Sequence, residues 1–217
     1  MLIEGRDQPK AVGYEVVGRL DRGPRRIVVS TPYSAYLTAA GERGPGIAIW
    51  LALAQWAARR GGATSFTFVA SSGHEMNGAG IRGFLAHAAP DPGSVDAWLH
   101  LGAAVAVRDF KPGPNGELTP TGGQFPTRLL TNRADFLRTI ERNFSGLPYD
   151  KRLTTTAVGE LSLFFERGYP TWGFEGGHAY HHAPNDLPFV TSPELLEGAA
   201  RAIVRTVEEI ESLPPAG

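Results

Sequence analysis

Six histidines and no cysteine frame the chemistry open to this chain. His178, His181 and His182 crowd into one stretch, while His74 stands directly before Glu75 and His100 sits inside an apolar run. Without cysteine, disulfides, thiolate metal sites and thiol nucleophiles are all excluded, so any metal must be held by His, Asp or Glu. Imidazole together with carboxylate is the donor set that zinc or a similar divalent ion takes when sulfur is absent. A site built from His74, Glu75, His100 and His182, with Glu42 and Glu160 as additions, is therefore the first hypothesis.

Each of these residues also has a plainer reading. Loop histidines are commonly solvated, which is how His178 and His181 read, and His87 lies on the outer side of a helical pattern. His100 stays open between a core histidine bonded to backbone carbonyls and a functional group, because either way its ring nitrogens need partners. Glu75 follows a strand and suits the N-terminus of the next helix, and Glu160 in Gly159-Glu160-Leu161 suits another helix N-terminus equally well. Glu42-Arg43 reads equally as an ordinary surface pair, worth little to stability. Tyr180 either lines the mouth of a pocket or covers it, while Trp172 and Phe174 pack a sheet.

The elements that position these residues follow from periodicity. Segments 11–20 and 26–31, rich in Val and Ile, flank Asp21-Arg22-Gly23-Pro24 and read as a hairpin. Ile47, Trp50, Leu51, Ala54 and Ala57 recur at helical spacing after the Gly-rich passage 41–46. Residues 64–70 form a strand, Ser71-Ser72-Gly73 a break, and 81–88 a helix. The nearly unbroken apolar run 95–107 reads as a strand buried on both faces, and the Pro/Gly-rich stretch 111–123 as an exposed loop.

A short strand at 127–130 precedes a helix over 134–144, entered through Asn132 with Asp135 three residues on. A short helix at 159–167, a strand at 170–174, a polar loop at 176–186 and a final helix from Ser192-Pro193-Glu194 complete the order. Such alternation predicts an α/β fold with a mixed, mostly parallel sheet and helices on both faces. In such sheets ligands bind where strands end, and the loops at 30–43, 71–77 and 176–186, with the His100 region, all follow strands.

The order of motifs resembles the zinc aminopeptidase-like family that includes bacterial leucyl aminopeptidases, glutamate carboxypeptidase and glutaminyl cyclase. The resemblance runs from Val16-Val17-Gly18-Arg19-Leu20 to the last helix. His182-Ala183-Pro184-Asn185-Asp186 is similar to the family loop whose His binds metal, and Ser72-Gly73-His74-Glu75 stands where the family has Ser-Gly-Glu-Glu. The resemblance thus implies His182 and Glu75 as ligands and puts His74 in the place of the general base, a role imidazole can fill near pH 7. Glu42 aligns near the bridging Asp, and His100 near an Asp ligand of the first metal.

Other positions depart from the family. The strand expected to end in His-x-Asp ends in Thr31-Pro32-Tyr33-Ser34, and Pro32 and Ser34 cannot replace the imidazole ligand. The resemblance then implies a divergent site binding at most one divalent metal, zinc or similar, through Glu42, Glu75 and His182, as in glutaminyl cyclases. His74 would be the acid/base, His100 would orient water or substrate, and Glu160, Tyr180 and Asp186 would meet the substrate. In another version Glu42 and Arg43 form an ion pair that fills the vacated metal cavity, and His74, Glu75, His100 and His182 make a hydrogen-bonded network with no metal.

The expected function is that of a hydrolase-like enzyme acting on a small-molecule or peptide-like substrate that carries an amide or amine. A metal-free pocket with a different role and a non-catalytic scaffold are the alternatives. A formal net charge of −1 gives no reason to expect nucleic acid. No apolar stretch is long enough to span a bilayer, and Met1 to Lys10 is polar, so the expectations are no membrane partner and a cytoplasmic home. At 217 residues the chain reads as a single domain of this kind, shortened at its N-terminus relative to the family.

Overall fold

A computed structural model of the chain describes residues 11–214, so the polar opening stretch lies outside the described residues. Nine strands and five α-helices are described: β1 Val16–Leu20, β2 Arg25–Pro32, α1 Gly44–Arg59, β3 Thr64–Ser71, α2 Ala79–His87, β4 Ala97–Leu101, β5 Arg108–Pro112, β6 Leu118–Gln124, β7 Arg128–Thr131, α3 Ala134–Asn143, β8 Asp150–Leu153, α4 Gly159–Glu166, β9 Thr171–Glu175 and α5 Pro193–Ile210. Seven of the strands form one sheet in the order β1-β3-β2-β4-β9-β7-β8. Four of its neighbouring pairs are parallel, and β1 with β3 and β7 with β9 are antiparallel. The expected mixed, mostly parallel sheet is therefore what forms.

Helices cover both faces, as the period-two alternation of buried strands requires. Ile27 and Val29 of β2 face one core with Ile49 and Leu53 of α1, Phe136 and Ile140 of α3, and Ile203 and Val207 of α5. Val28, between them in sequence, faces the other with Ile81 and Phe84 of α2 and Leu161 and Phe164 of α4. Burying each of these side chains is worth roughly 1.5–3 kcal/mol, which is what commits the strands to a two-sided sheet. Chain-entry chemistry sets the helix starts: Pro45 and Pro193 occupy first-turn positions in α1 and α5, and Ser192 caps α5 by accepting from the Leu195 amide.

Four local expectations are corrected. The opening segments do not form a hairpin: β1 and β2 lie on opposite sides of β3, and β1 pairs Val16 with Ala70 through to Leu20 with Phe66. The turn between them straddles the start of β3, where the Ser65 hydroxyl accepts from the Arg22 and Gly23 amides and donates to the Gly23 carbonyl. A side chain at Gly23 would meet the Ala63 carbonyl oxygen at 2.1 Å, so glycine is what lets the chain pass there.

The apolar run 95–107 is a strand only over Ala97–Leu101. Residues 102–107 leave the sheet yet stay buried, tied by the Ala104 amide to the Glu42 carbonyl and by the Thr127 hydroxyl to the Ala104 carbonyl. Burial without β pairing is invisible to an apolar-run argument. The stretch 111–123 is largely an exposed two-stranded hairpin, β5 with β6, rather than an irregular loop. Asn132 does not cap α3: Arg133 holds that position, while the Asn132 side chain bonds the Tyr169 carbonyl and the Thr171 amide. The short polar edge strand β8 has no apolar signature and was not expected.

Candidate active site

Strands β2, β3, β4 and β9 run in the same direction, so their carboxyl ends meet along one edge of the sheet. The loops leaving them, with the N-terminus of α4, enclose a cleft of about 170 Å³. Its lining includes Glu42, His74, Glu75, His100, Glu160 and His182, six residues singled out from sequence, together with Arg43 and His181. Residues as far apart as 42 and 182 are brought together because parallel strands deliver their following loops to one end.

One wall is a hydrogen-bonded set. Glu160 lies in the first turn of α4 and is 2% exposed. Its carboxylate accepts from the Ser71 hydroxyl at 3.0 and 3.1 Å, and His74 Nδ1 stands 3.1 Å from Oε1. Burial pushes the Glu160 carboxyl up, but bonds from His74 and Ser71 and the nearby imidazoles outweigh it and hold the group below its ordinary range. An ionised Glu160 fixes the His74 proton on Nδ1, which leaves Nε2 as the basic nitrogen. Gly159, at φ +59°, allows the turn into α4, and a side chain there would sit 3.6 Å from His74 Cε1.

Deeper in the cleft, His100 Nδ1 is 2.9 Å from the Ser30 hydroxyl, and the Trp98 indole donates to the same oxygen at 2.8 Å. His100 is 2% exposed, and burial pushes its pKa down to about 4, so it is neutral at pH 7. Its Nδ1 partner is a side chain and not a backbone carbonyl, which departs from the simple core-histidine reading.

The other wall is differently finished. Glu42 is fully buried, and neither carboxylate oxygen accepts a hydrogen bond. Arg43 Nη2 lies 2.8 Å from Glu42 Oε1 without hydrogen-bond alignment, and donates instead to Glu75 Oε1 at 3.0 Å. The guanidinium is itself buried and its Nε donates to the Ser34 carbonyl. Glu75 does not cap α2, whose N-cap is Gly78. Its carboxylate is committed to Arg43, with His182 Nε2 3.6 Å away. Glu42 and Arg43 are thus not a surface pair.

His182 Nε2 lies 3.3 Å and His181 Nε2 3.9 Å from Glu42 Oε1. Successive side chains usually diverge, but His182 adopts φ +57°, and the two rings stack at 4.1 Å. Burial lowers the His181 pKa, opposed by Glu42, and so favours the neutral imidazole that a metal requires. Glu42, His181 and His182 offer three ligand atoms all within 4.8 Å of one another, a group that does not include Glu75. An unsatisfied buried carboxylate beside two imidazoles fits one divalent ion. The buried guanidinium between Glu42 and Glu75 leaves no such fit for a second, since another dication there would face a fixed positive charge.

Two expected substrate contacts lie behind the walls. Asp186 is fully buried and accepts from the Gly41 amide at 2.7 Å and the Glu42 amide at 3.0 Å, so it anchors the Glu42 loop. Tyr180 packs edge-on against Phe110 and Phe189 and does not line the cleft. The solvated readings of His178 and His181 are corrected too. His178 is buried with Nε2 3.3 Å from Asp186 Oδ2, and His181 lines the cleft. Sequence reasoning passed over His181 and Ser30; the doublet His181-His182 was the one available signal, and nothing in the spacing of Ser30 marks it. His87 is exposed, as expected.

No family model matches the chain, and no curated protein is similar to it at a significant level. Solved structures are similar in shape. A zinc aminopeptidase from Bacillus subtilis superposes with a TM-score of 0.70 at 16% identity, covering 90% of this chain and 49% of its own. An aminopeptidase from Aneurinibacillus sp. strain AM-1 gives 0.70 at 17%, covering 93% and 48%. Glutaminyl cyclase from Porphyromonas gingivalis gives 0.63 at 10%, covering 90% and 76%. The chain spans about half the length of the two aminopeptidases. At such identities the likeness speaks to architecture alone: this chain has the α/β fold shared by zinc aminopeptidases and glutaminyl cyclase.

Proposed function

We propose that the chain is a hydrolase-like enzyme that acts on a small substrate carrying an amide or amine, with one divalent metal held by Glu42, His181 and His182. The observation that carries this reading is the fully buried Glu42 carboxylate, whose two oxygens accept no hydrogen bond and whose neighbours, besides the Arg43 guanidinium, are two imidazole Nε2 atoms. The sequence motifs pointed to Glu75 as the third donor; here His181 takes that place, because Arg43 engages Glu75. A zinc ion in such a site supplies a Lewis acid that polarises a carbonyl and lowers the pKa of water.

The chain's own residues account for the remaining steps. His74, held through Nδ1 by Glu160, takes a proton from water at Nε2 as the water oxygen adds to the substrate carbonyl. The same nitrogen returns that proton to the amine as the C–N bond breaks, so hydrolysis is balanced without another acid. Arg43 stays within the wall and keeps Glu75 and Glu42 from repelling each other. A cleft of about 170 Å³ suits a terminal residue or a small molecule rather than an extended chain.

Metal content measured on protein purified without chelator tests the reading, together with thermal unfolding with and without zinc. Stoichiometric metal and a raised melting temperature are expected, because a ligand that binds the native state alone must stabilise it. Less than about a tenth of a metal per chain and no stabilisation by zinc overturn it. The second reading, a metal-free pocket, then leads on the strength of the buried Arg43 guanidinium lying 2.8 and 3.0 Å from the two carboxylates.

A further inference from the structure

We infer that His100 is a neutral hydrogen-bond donor, locked with its proton on Nε2, and that this N–H binds the carbonyl oxygen of the substrate. The inference rests on the hydrolase reading for its reaction, but its structural half stands independently. Ser30, Trp98 and His100 form a chain of hydrogen bonds in which donor and acceptor roles can be assigned. An indole N–H can only donate, so Trp98 occupies one lone pair of the Ser30 oxygen at 2.8 Å. The Ser30 hydroxyl is fully buried, and among the described residues His100 Nδ1, at 2.9 Å, is the acceptor within its reach.

If His100 instead donated from Nδ1, that hydroxyl hydrogen would be buried without a partner and would carry its full desolvation penalty. Ser30 therefore donates to Nδ1, and the single proton of the neutral ring sits on Nε2. Among the described residues no group accepts from that nitrogen, although the side chain is 2% exposed and lines the cleft. At Gly102 a side chain would meet the Phe174 carbonyl oxygen at 2.2 Å and stand 3.3 Å from His100 Nε2, so glycine there also leaves the approach to that nitrogen open. The ring packs against Phe164 at a centroid distance of 5.3 Å and an interplanar angle of 59°, so its direction is fixed before any ligand arrives.

Such a donor stabilises negative charge as water adds to a carbonyl, and does so without reorganising. A neutral imidazole is suited to the task because it cannot pass its proton fully to the oxygen at pH 7. The low pKa near 4 is consistent with this but is not required for it. Ser30 and Trp98 are then positioning residues that act through the histidine.

Long-range nitrogen–proton correlation spectra of 15N-histidine-labelled protein at pH 7 read the tautomer directly, with His100 assigned by loss of its signals in His100→Gln. The expected spectrum shows His100 with Nε2 protonated, and Ser30→Ala relaxes that preference toward the other tautomer. A set of α-aminoacyl amides added as probes shifts the Nε2–H resonance. For hydrolysis of the same amides, His100→Leu lowers kcat by roughly 100-fold, the loss typical of one such donor, and His100→Gln recovers part of it. A protonated Nδ1, an imidazolium at pH 7, or an Nε2–H resonance that no amide displaces overturns the inference. Failure of the metal reading shows separately, as absent zinc stabilisation with the tautomer unchanged.

Discussion

Glu160 and Glu42 line the same cleft, both fully or almost fully buried and both beside histidine, yet they are treated in opposite ways. Glu160 accepts from Ser71 at both oxygens and is paired with His74, so its charge is compensated inside the chain. Glu42 accepts no hydrogen bond at either oxygen, although the misaligned Arg43 cation and the His181 and His182 rings stand beside it. A buried carboxylate left in that state costs several kcal/mol. The difference teaches that one wall has its buried charge satisfied within the chain, whereas the other leaves a buried carboxylate without a hydrogen bond, the feature on which the proposed metal site rests.

The largest effect should come from the residue that holds the unfinished wall in place. Asp186→Ala removes the acceptor of the Gly41 and Glu42 amides and leaves buried donors unpaired, so a loss of about 3–5 kcal/mol is expected in urea unfolding. A loss under about 1 kcal/mol would mean that the Glu42 loop is held by something else.

The finished wall predicts a pH dependence. The His100 pKa falls from an ordinary 6.5 to about 4 because burial penalises the cation. Between those values the unfolded chain binds a proton that the native chain does not, so stability decreases as pH falls from 6.5 and the loss from this residue is complete near 4. The full contribution is about 3 kcal/mol, and His100→Gln should flatten the stability profile by most of that amount between pH 7 and 4.5. Glu160 and Asp186, whose pKa values are depressed, act at lower pH, from the foot of that window downward: the stability they give is present above their unfolded values and is lost as pH drops through the folded ones.

Zinc sharpens the comparison next. At a hundredfold excess over its dissociation constant it should stabilise the parent by about 2.7 kcal/mol. Glu42→Gln should abolish most of that gain, while Glu160→Gln should keep it, with calorimetry of zinc binding as the check. Equal losses in both variants would erase the distinction between the walls. The smallest change is Ser71→Ala, which removes one donor from a carboxylate that keeps its histidine, at a cost of about 1.5 kcal/mol with zinc binding intact.

Much of this was legible in the residues. The alternation at 64–70, the helical spacing of Ile47, Trp50, Leu51 and Ala54 and the turn chemistry between elements give the layered sheet, because burial of one side chain in two or in three to four is a local constraint. The pairing of β1 with β3 was not legible, since a short turn after a strand does not say which neighbour the next strand will take. The role of Arg43 was legible in part: beside Glu42 it read either as a surface charge or as an ion pair in a vacated metal cavity, and only the loop that buries it aims it at Glu75. For His181 the doublet with His182 was the one signal, and it did not give the direction of the ring, which depends on the positive φ of the residue after it.

The sequence by itself determined the layered α/β class and the inventory of donors: histidine and carboxylate without thiolate, most of them on or near loops that follow strands. Tertiary structure alone decided which of those donors meet, which are satisfied and which are left waiting. The physical reason is distance along the chain. Asp186 sets Gly41 and Glu42 from 145 and 144 residues away, and Glu160 holds His74 across 86, so the geometry of each contact is fixed by how the sheet is assembled rather than by any local preference.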